Sequence, residues 1–557
     1  MFNTTLNKVN YLLILFLGII LFIPFLGTTH LFDWDEINFA ESSREMIISN
    51  SYLIPKINFE AFWEKPPLFF WFQVMAMKVL GINEFASRFP NAIAGIITLL
   101  MFYTIGKNKV DKSFGLLWVL VYTASLLPHL YFKSGIIDPW FNLFIFSSIY
   151  YLSTHLEQIE NKSRFLHLIL AGIFSGLAML TKGPVGILIV GLTVCFYFLL
   201  NFKKVGFKLI SDYFIYLFFA LLIGSIWFLA LYLNGDKEII KEFIVYQIRL
   251  FQTEDADHGG PFYYHFIVLL IGCFPTSVLA ILAMTKNNNL EKNKSNNSIL
   301  YFKSWMTILF WVGLILFSIV KTKIVHYSSI CYFPLSYLAT ITTYNLYKNK
   351  FKLPNWAFYF QIIIGFALSF ALIIVTFIES IKPYLLKNNL IEDEFTLESL
   401  KAIVKWNGLE WISGFILLIG VIFYLYNSKK EAFKSLIVLM TTCVVCFNLA
   451  IILITPNVEP YSQGATIEFF KTIKNKNAVI EPLGFKSYGQ YFYSERPEKF
   501  KGYSSEKILS KKIITKDPVY FVAKIHRAKE LENQYPEIKK LYQKNGFVFY
   551  QYIPFKN

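Results

Sequence analysis

Residues 435–455, SLIVLMTTCVVCFNLAIILIT, contain no charged side chain and decide the fold class. A helix needs about 20 apolar residues to cross the hydrocarbon core of a bilayer, and this run supplies them. Because the bilayer offers no hydrogen-bond partners, a spanning segment must satisfy its own backbone, which a helix does. The run therefore predicts a transmembrane helix.

Similar apolar runs recur along the whole chain, so we predict about thirteen transmembrane helices. The predicted spans are residues 9–26, 90–105, 114–130, 139–152, 165–180, 183–200, 213–233, 262–284, 305–320, 325–344, 356–378, 411–426 and 435–455.

The composition of the 557 residues agrees with a membrane protein. The chain is 55% hydrophobic and only 16% charged, whereas soluble domains carry roughly 25% charged residues. The formal net charge of +16 is not concentrated in one stripe or arm. Nucleic acid is therefore not an expected partner.

The positions of the lysines predict the topology. Residues 66–80 form one further apolar run, which is short, opens with two prolines and contains Lys78. If this run does not cross, every basic cluster between the spans falls on the side of Lys8, as the positive-inside rule requires. We therefore predict a helix on the outer surface for 66–80, and clusters such as 107–112, 203–208 and 348–352 in the cytoplasm.

The outer side then receives the polar segments that topology does not explain. We predict a transmembrane domain over residues 1–455, which includes an outer loop at 27–89, and a second domain over 456–557 on the same outer side. In the second domain, strand patterns at 478–482, 519–523 and 547–553 alternate with a helical pattern at 526–545. The fold class is thus an all-α polytopic membrane protein with a small C-terminal α/β domain.

Acidic residues stand where two helices are expected to begin on the outer side. Asp33, Asp35 and Glu36 open the first helical stretch, and Asp138 precedes Pro139 at the start of another. A carboxylate beside an apolar wall can take a proton from a hydroxyl. Helix capping is the alternative for Asp33 and Asp138, since acids are common at helix starts.

Cations gather on the same outer side against the general charge trend. An anionic substrate carried by the membrane would need them. Lys65 could hold a lipid phosphate, or could be an interfacial lysine that pairs with Glu64. Lys182 is equally explained as a lysine that extends from a helix end to the surface. The candidate phosphate ligands are Lys65, Arg249, Lys321 and Lys323, with the hydroxyl of Tyr327.

Carboxylates and cations at an outer membrane face suit sugar transfer from a polyprenyl phosphate, because the departing phosphate needs positive charge. Three alternatives stay open. A transferase or ligase of lipid-linked oligosaccharides would need a diphosphate site. A transporter or flippase would carry ionisable residues at mid-span. A receptor or scaffold would act through the C-terminal module.

Several motifs resemble the bacterial branch of the protein O-mannosyltransferase superfamily, and most closely the lipid A 4-amino-4-deoxy-L-arabinose transferases. The motifs cover roughly the first 350 residues in order. They are DEINFAESSREM (35–46), FWEKPP (62–67), NEFASRFP (83–90), LTKGP (180–184), DHGGPFYY (257–264) and KTKIVHY (321–327).

The resemblance implies a GT-C fold with thirteen spans and a periplasmic C-terminal domain. It also implies residue roles. Asp35 matches the proposed base on the acceptor hydroxyl, and Asp138 a second carboxylate; with the adjacent Glu36 they are the candidate catalytic residues. Lys65 and Tyr327 match positions that hold the lipid phosphate. Arg249 is adjacent to a third position of this kind.

A divalent metal is the one cofactor that the resemblance suggests. Glu64 matches a metal ligand of the aminoarabinose branch, but Gln247 stands where that branch has the partner histidine. Asn38 and Phe39 stand where it has arginine and tyrosine, so its sugar specificity does not transfer directly.

These observations predict a multi-pass enzyme of the cell inner membrane with its active site facing the periplasm. It would transfer one sugar, with inversion, from a polyprenyl-phosphate donor to lipid A, a glycolipid or a protein. We expect it to act as a monomer.

Overall fold

The computed structural model describes residues 2–157, 164–201, 207–252, 259–285, 294–388 and 391–553. Helices dominate the first 458 residues. The first nine are α1 (Phe2–Phe22), α2 (Asp35–Ile48), α3 (Leu68–Leu80), α4 (Glu84–Lys109), α5 (Lys112–Thr123), α6 (Leu126–Phe132), α7 (Asp138–Glu157), α8 (Arg164–Lys182) and α9 (Val185–Asn201).

The helices of the second half continue the same pattern, interrupted by a 3₁₀ segment at Val325–Cys331. They are α10 (Phe207–Gly224), α11 (Ile226–Asn234), α12 (Lys237–Gln252), α13 (Tyr264–Gly272), α14 (Thr276–Met284), α15 (Lys294–Ile319), α16 (Tyr332–Tyr347), α17 (Asn355–Thr376), α18 (Ile378–Lys387), α19 (Glu394–Ser399), α20 (Trp411–Asn427), α21 (Ala432–Leu453) and α22 (Thr455–Val458).

Twelve of the thirteen predicted spans overlap one of these helices or a bent pair, and the span at 325–344 covers the 3₁₀ segment and α16. This agreement confirms the all-α membrane architecture. Within the described residues, α4, α8, α15, α17 and α21 are each long and apolar enough to cross a membrane alone. Three spans are broken: α5 and α6 meet at 80°, α10 and α11 at 43°, and α13 and α14 at 114°. The last break falls at Pro275, which lacks the backbone N–H that helix continuation requires.

Helix α3 has the dimensions of a surface helix. Its 13 residues extend about 20 Å at 1.5 Å per residue, less than the roughly 30 Å hydrocarbon core. One side of α3, which includes Phe69 and Phe70, is buried and packs on α2 and α4. These dimensions support the predicted position of α3 outside the membrane.

Helix α2 lies almost wholly inside the protein, although it is rich in charge. Glu41 and Arg44 form a bidentate pair with both N–O distances at 2.7 Å. A third bond from Arg44 reaches the backbone carbonyl of Arg496 at 3.1 Å. Paired in this way, Glu41 and Arg44 can be buried between the membrane helices and the C-terminal region.

The C-terminal region contains a four-stranded mixed sheet. Its strands lie in the order β3 (Val479–Leu483), β4 (Val519–Lys524), β6 (Phe547–Tyr552) and β5 (Ile538–Lys544). Strands β3 and β4 are parallel, and the other neighbouring pairs are antiparallel. A short hairpin of β1 (Lys56–Ile57) and β2 (Glu60–Ala61) lies apart from it. The elements are α23 (Gly464–Ile473), β3 (Val479–Leu483), α24 (Gly489–Tyr493), α25 (Ser505–Leu509), β4 (Val519–Lys524), α26 (Ala528–Gln534), β5 (Ile538–Lys544) and β6 (Phe547–Tyr552).

The three predicted strands match β3, β4 and β6, but the predicted helix over 526–545 is wrong. A 3₁₀ turn at Ile525–Arg527 and the short helix α26 are the helical parts there, and β5 follows them. Strands β5 and β6 are joined by Asn545-Gly546, both with positive φ (48° and 79°). This dipeptide suits a two-residue hairpin turn, because both positions need a left-handed backbone.

Hydrogen bonds join the C-terminal region to the loop that precedes α2. The hydroxyl of Tyr493 accepts from the Leu31 N–H at 2.7 Å, and Gln463 donates to the Leu31 carbonyl at 2.8 Å. The backbone N–H of Tyr488 donates to Asp33 Oδ1 at 3.1 Å. The residues beside Asp35 are therefore held partly by the C-terminal region.

Arg496 is the main buried charge of this region and gives a stability prediction. It donates to Glu481 Oε1 and to the Ile480 carbonyl, both at 2.6 Å, and to Asn58 at 3.0 Å. In Arg496→Met, Glu481 stays buried without its partner. We expect the free energy of unfolding of the C-terminal region to fall by about 3–5 kcal/mol. Urea unfolding in detergent, followed by pulse proteolysis of this region, measures the change.

Arg527→Met is the matched control, since Arg527 pairs with Glu530 at 3.2 Å on the surface. Arg527→Met should lower the free energy of unfolding by less than about 1 kcal/mol. Equal losses in the two variants would contradict the assigned role of Arg496.

Candidate functional site

Two acids and a histidine meet where α2, α7 and the 3₁₀ segment converge. Asp35 begins α2, and its Oδ2 lies 3.0 Å from His326 Nε2. The same nitrogen lies 3.8 Å from Oδ2 of Asp138, at the start of α7. His326 therefore sits between the two carboxylates expected to be catalytic.

Lys182 completes this group from the last turn of α8. Its ammonium donates to Asp138 Oδ1 at 2.6 Å and lies 4.8 Å from the centre of the Tyr327 ring. From the sequence, Lys182 could equally have been a lysine reaching the membrane surface. The structure places it at the centre of the site instead.

The surrounding charges keep Asp35 ionised. Burial raises the pKa of Asp35, but the hydrogen bond and charge of His326 and the charges of two lysines outweigh burial. The net effect is a lowered pKa. The lysines are Lys65 and Lys182. Asp35 is therefore a carboxylate at neutral pH, well suited to orient a nucleophile and to take its proton as that proton becomes acidic.

A narrow polar cavity opens on one side of Asp35. Lys65 lies in its wall, with the ammonium 5.0 Å from the centre of the Tyr246 ring. The lining is rich in groups that can hold an anion. It comprises Trp34, Asp35, Asn38, Phe39, Glu64, Lys65, Ile137, Lys182, Tyr246, Thr322, Ile324, Tyr327 and Tyr488.

A second small cavity, of about 60 Å³, shares Lys65, Lys182 and Tyr327 with the first. Its other walls are largely apolar and include Val185 and Phe317. The shared cations thus stand at the boundary between a polar space and an apolar one.

A much larger cavity, of about 410 Å³, also has Asp35 in its wall. Asp33, Asp35, His326 and Lys133 make part of the wall polar, whereas most of the lining is apolar. The apolar lining comes from several helices and loops. It includes Phe25, Phe32, Leu127, Leu130, Ile136, Val325, Ile451 and Ile452.

Glu36 has a different environment from its neighbour Asp35. It accepts two hydrogen bonds from Arg88, at 2.7 and 2.8 Å, and one each from the N–H groups of Phe32 and Gly135. All its strong acceptor positions are occupied by the protein. This geometry favours a structural role for Glu36 over the catalytic role expected from the sequence.

Lys323 likewise has a role other than the expected phosphate binding. Its side chain is buried, and the ammonium donates to the carbonyls of Ser318 at 2.7 Å and of Phe317 at 3.4 Å, and also to that of Val320. A cation on the last carbonyls of a helix stabilises its C-terminal end. Lys323 therefore caps α15.

The other two predicted phosphate ligands lie farther out. Lys321 is exposed and is not part of the lining of these three cavities. Arg249 is exposed on α12, with its guanidinium 5.1 Å from the centre of the Tyr246 ring. Tyr246 thus contacts both Arg249 and Lys65.

The residues around Glu64 do not fit a metal site. Its carboxylate accepts from the Tyr246 hydroxyl at 2.9 Å, and its backbone carbonyl accepts from Gln247 at 3.3 Å. Across the described ranges there is no group of three or more His, Cys, Asp or Glu side chains that could hold an ion. The motif residues Asp257 and His258 lie outside those ranges.

Sequence reasoning missed His326 and Tyr488. His326 directly precedes Tyr327 in a motif that had been singled out, so its position was a usable signal. Tyr488 comes from the C-terminal region, more than four hundred residues away from Asp35 along the chain. No sequence pattern joins the two.

A family model described as dolichyl-phosphate-mannose-protein mannosyltransferase matches residues 64–231. Curated relatives are named undecaprenyl phosphate-alpha-4-amino-4-deoxy-L-arabinose arabinosyl transferases. The Wigglesworthia glossinidia brevipalpis protein is 29% identical over 63% of this chain and 62% of its own length. A Proteus mirabilis protein is 25% identical over 69% and 68%. The chain thus matches less than two thirds of the length of the first relative and slightly more than two thirds of the second.

The fold matches a solved structure over nearly its whole length. The crystal structure of ArnT from Cupriavidus metallidurans bound to undecaprenyl phosphate superposes with a TM-score of 0.76, covering 97% of both chains at 15% identity. The crystal structure of the same protein in the apo state superposes with a TM-score of 0.73 over 98% of both chains. These comparisons confirm the resemblance to the mannosyltransferase superfamily and its aminoarabinose branch, and the GT-C fold.

Asp33 gives a pH prediction for this face. Burial raises its pKa to about 6, although bonds from Ser487 and the Tyr488 N–H act in the opposite direction. A raised folded-state pKa favours the protonated form, so this stabilisation is complete below the unfolded pKa and is lost as pH rises through about 6. Asn mimics the protonated acid. Asp33→Asn should therefore raise the melting temperature at pH about 7.5 and leave it nearly unchanged at pH about 4.

The measurement is thermal unfolding in detergent across this pH range, with Asp393→Asn, an exposed helix cap, as the control. If the melting temperatures of Asp33→Asn and wild type differed by the same amount at every pH, this role of Asp33 would be excluded.

Proposed function

We propose that this chain is an integral membrane glycosyltransferase that moves one sugar from a polyprenyl-phosphate donor to a lipid acceptor at the periplasmic face. One observation carries the proposal. Asp35 lies in the wall of both the narrow cationic cavity and the wide apolar one. A group in that position can contact a donor on one side and an acceptor on the other.

The donor is assigned to the narrow cavity and to the small apolar cavity beyond it. Lys65, Lys182 and Tyr327 stand between the two, where a phosphate joins a polar sugar to an apolar chain. The names of the relatives contain undecaprenyl phosphate, and the Cupriavidus crystal structure holds it. Both support an undecaprenyl-type carrier for this chain.

The acceptor is assigned to the wide cavity. A largely apolar space of about 410 Å³ suits the acyl or glycolipid part of an acceptor better than a peptide, whose backbone needs hydrogen-bond partners. A lipid such as lipid A or a glycolipid could place its hydroxyl or phosphate at Asp35 while its chains contact Leu127 and Ile451.

In the reaction, the acceptor oxygen attacks the anomeric carbon from the side opposite the phosphate. The new carbon–oxygen bond forms as the bond to the phosphate breaks, which inverts the configuration. Asp35 takes the proton of an acceptor hydroxyl. A phosphate acceptor is already ionised, and Asp35 then only orients it.

Positive charge stabilises the leaving polyprenyl phosphate as it develops. Lys65, Lys182 and Tyr327 are the nearest groups, and Arg249 adds charge from the outer end. Asp138 holds Lys182 through the 2.6 Å contact. His326 orients Asp35, which makes it a positioning residue.

The location follows from the charges. The basic clusters between spans mark the cytoplasmic side, since lysines next to spans are retained there. The site lies on the opposite side, at the outer surface of the inner membrane. A polyprenyl-linked sugar is the form in which an activated sugar is available on that side.

The first test uses Asp35→Asn and Lys65→Ala in membranes supplied with labelled undecaprenyl-phosphate sugars and lipid extracts. We expect Asp35→Asn to lower transfer at least about 100-fold, because general-base catalysis contributes at least that much. Lys65→Ala should mainly weaken donor use. Asp517→Asn and Lys499→Ala alter an exposed ion pair and should transfer normally.

Full transfer by folded Asp35→Asn would refute the assignment of Asp35. The readout must be a covalent glycolipid found by mass spectrometry, because a flippase would only redistribute the labelled lipid. A product that carries several sugars would instead indicate an oligosaccharide transferase.

The second test concerns His326. Its hydrogen bond and charge lower the pKa of Asp35, so His326→Ala should raise that pKa and shift the acid limb of the kcat/KM profile to higher pH. A misplaced base should also lower kcat, by about 10- to 100-fold. His326→Gln keeps a hydrogen-bond donor and should recover part of kcat. An unchanged acid limb in His326→Ala would show that His326 does not act through Asp35.

A further inference from the structure

The amide of Asn38 is a buried polar group for which the mechanism above has no use. Only 3% of Asn38 is exposed, and its Oδ1 has no hydrogen-bond partner within the described residues. Leaving such an acceptor unpaired destabilises a folded protein. A group of this kind marks a place where a ligand supplies the missing hydrogen bond.

Asn38 also has the right position for contact with a donor. It stands three residues after Asp35 on α2, so the two side chains share one face of the helix. Both line the narrow cavity, together with Lys65 and Lys182. A ligand whose phosphate meets the lysines and whose reacting carbon faces Asp35 would pass close to Asn38.

Tyr488 is the contribution of the C-terminal region to the same lining. Its ring meets the Trp34 ring edge-on, with centroids 6.0 Å apart at 88°. Its backbone N–H holds Asp33, and the ammonium of Lys486 lies 4.3 Å from the centre of the Trp34 ring. These contacts fix Tyr488 against the segment that carries Asp35.

The hydroxyl of Tyr488 is kept as a proton donor. Burial raises its pKa, and the negative charges of Glu64, Asp33 and Asp35 raise it further. A phenol that stays protonated can donate to a sugar oxygen, while its ring packs on the apolar face of the sugar.

We propose that Asn38 and Tyr488 form the subsite for the sugar of the lipid-linked donor, a role that rests on the proposed function. The amide of Asn38 accepts a hydrogen bond from a sugar hydroxyl, and Tyr488 packs against the ring and donates to one of its oxygens. The C-terminal region therefore takes part in sugar recognition.

The amide of Asn38 also gives the subsite a means of discriminating between sugars. An uncharged amide recognises a hydroxyl by hydrogen bonding alone. A site built on such a bond discriminates strongly against a sugar that lacks the matching group.

The test compares two probes that differ only in the sugar. The first is undecaprenyl phosphate that carries labelled glucose, mannose or 4-amino-4-deoxy-arabinose, chosen as the one wild-type membranes consume. The second is undecaprenyl phosphate alone, measured as a competitive inhibitor. The variants are Asn38→Ala, Asn38→Ser and Tyr488→Phe. Tyr491→Phe is the control, since Tyr491 stacks on Arg496 and does not line the cavity.

We expect Asn38→Ala to raise the KM for the sugar-linked donor at least about fivefold, the loss typical of a buried polar contact. Tyr488→Phe should raise it about two- to tenfold. Asn38→Ser keeps a small acceptor and should fall between Asn38→Ala and wild type. Inhibition by undecaprenyl phosphate alone should change less than about twofold in every variant, and Tyr491→Phe should match wild type.

Two results would overturn the inference. KM and the inhibition constant could rise together, which would mean that the variants damage the phosphate site or the fold. KM could instead stay unchanged in both Asn38→Ala and Tyr488→Phe, which would mean that neither residue contacts the sugar. If wild-type membranes transfer no sugar and undecaprenyl phosphate does not bind, the proposed function itself fails, and this inference with it.

Discussion

The ion pair between Glu36 and Arg88 holds the outer face of this protein together. Arg88 also donates to the carbonyls of Leu26, Thr29 and His30, and Glu36 also accepts from the Gly135 N–H. One buried pair thus joins α4, the loop before α2, α2 itself and the segment that leads into α7. Because Asp35 follows that loop and Asp138 follows that segment, the pair fixes both acids relative to the membrane helices.

The site, like the pair of Glu36 and Arg88, depends on opposite charges that lie next to each other. Asp35 and Asp138 face each other across His326, and Lys65 and Lys182 balance them. Acids and cations so placed can stay charged at the edge of an apolar protein, where an isolated charge would be neutralised. The balance keeps a carboxylate ionised beside cations that can receive a phosphate, and it divides an apolar cavity from a polar one.

The sequence grouped some residues as the structure does, and for others the structure shows a setting that the sequence did not indicate. Asp35, Asp138, Lys65 and Tyr327 lie together, as the motifs indicated. Lys323 and Glu36 were candidates because of their charge, but one caps α15 and the other pairs with Arg88. Charge in a motif does not reveal which partner is within reach. The prediction of a helix over 526–545 is wrong because Asn545-Gly546 forms a hairpin turn, which makes the residues before it a strand.

The sequence by itself determined the fold class and the apolar helices, and it predicts the side of the membrane on which the site lies. The bilayer imposes these through length, hydrophobicity and lysine position, all of which are local properties of the chain. Only the tertiary structure decided which polar groups meet. Lys182 reaches Asp138, His326 bridges two acids, and Tyr488 lines a cavity with Asp35, from segments hundreds of residues apart. These long-range contacts depend on how the helices pack and on where the C-terminal region lies against them, and no local sequence pattern encodes either.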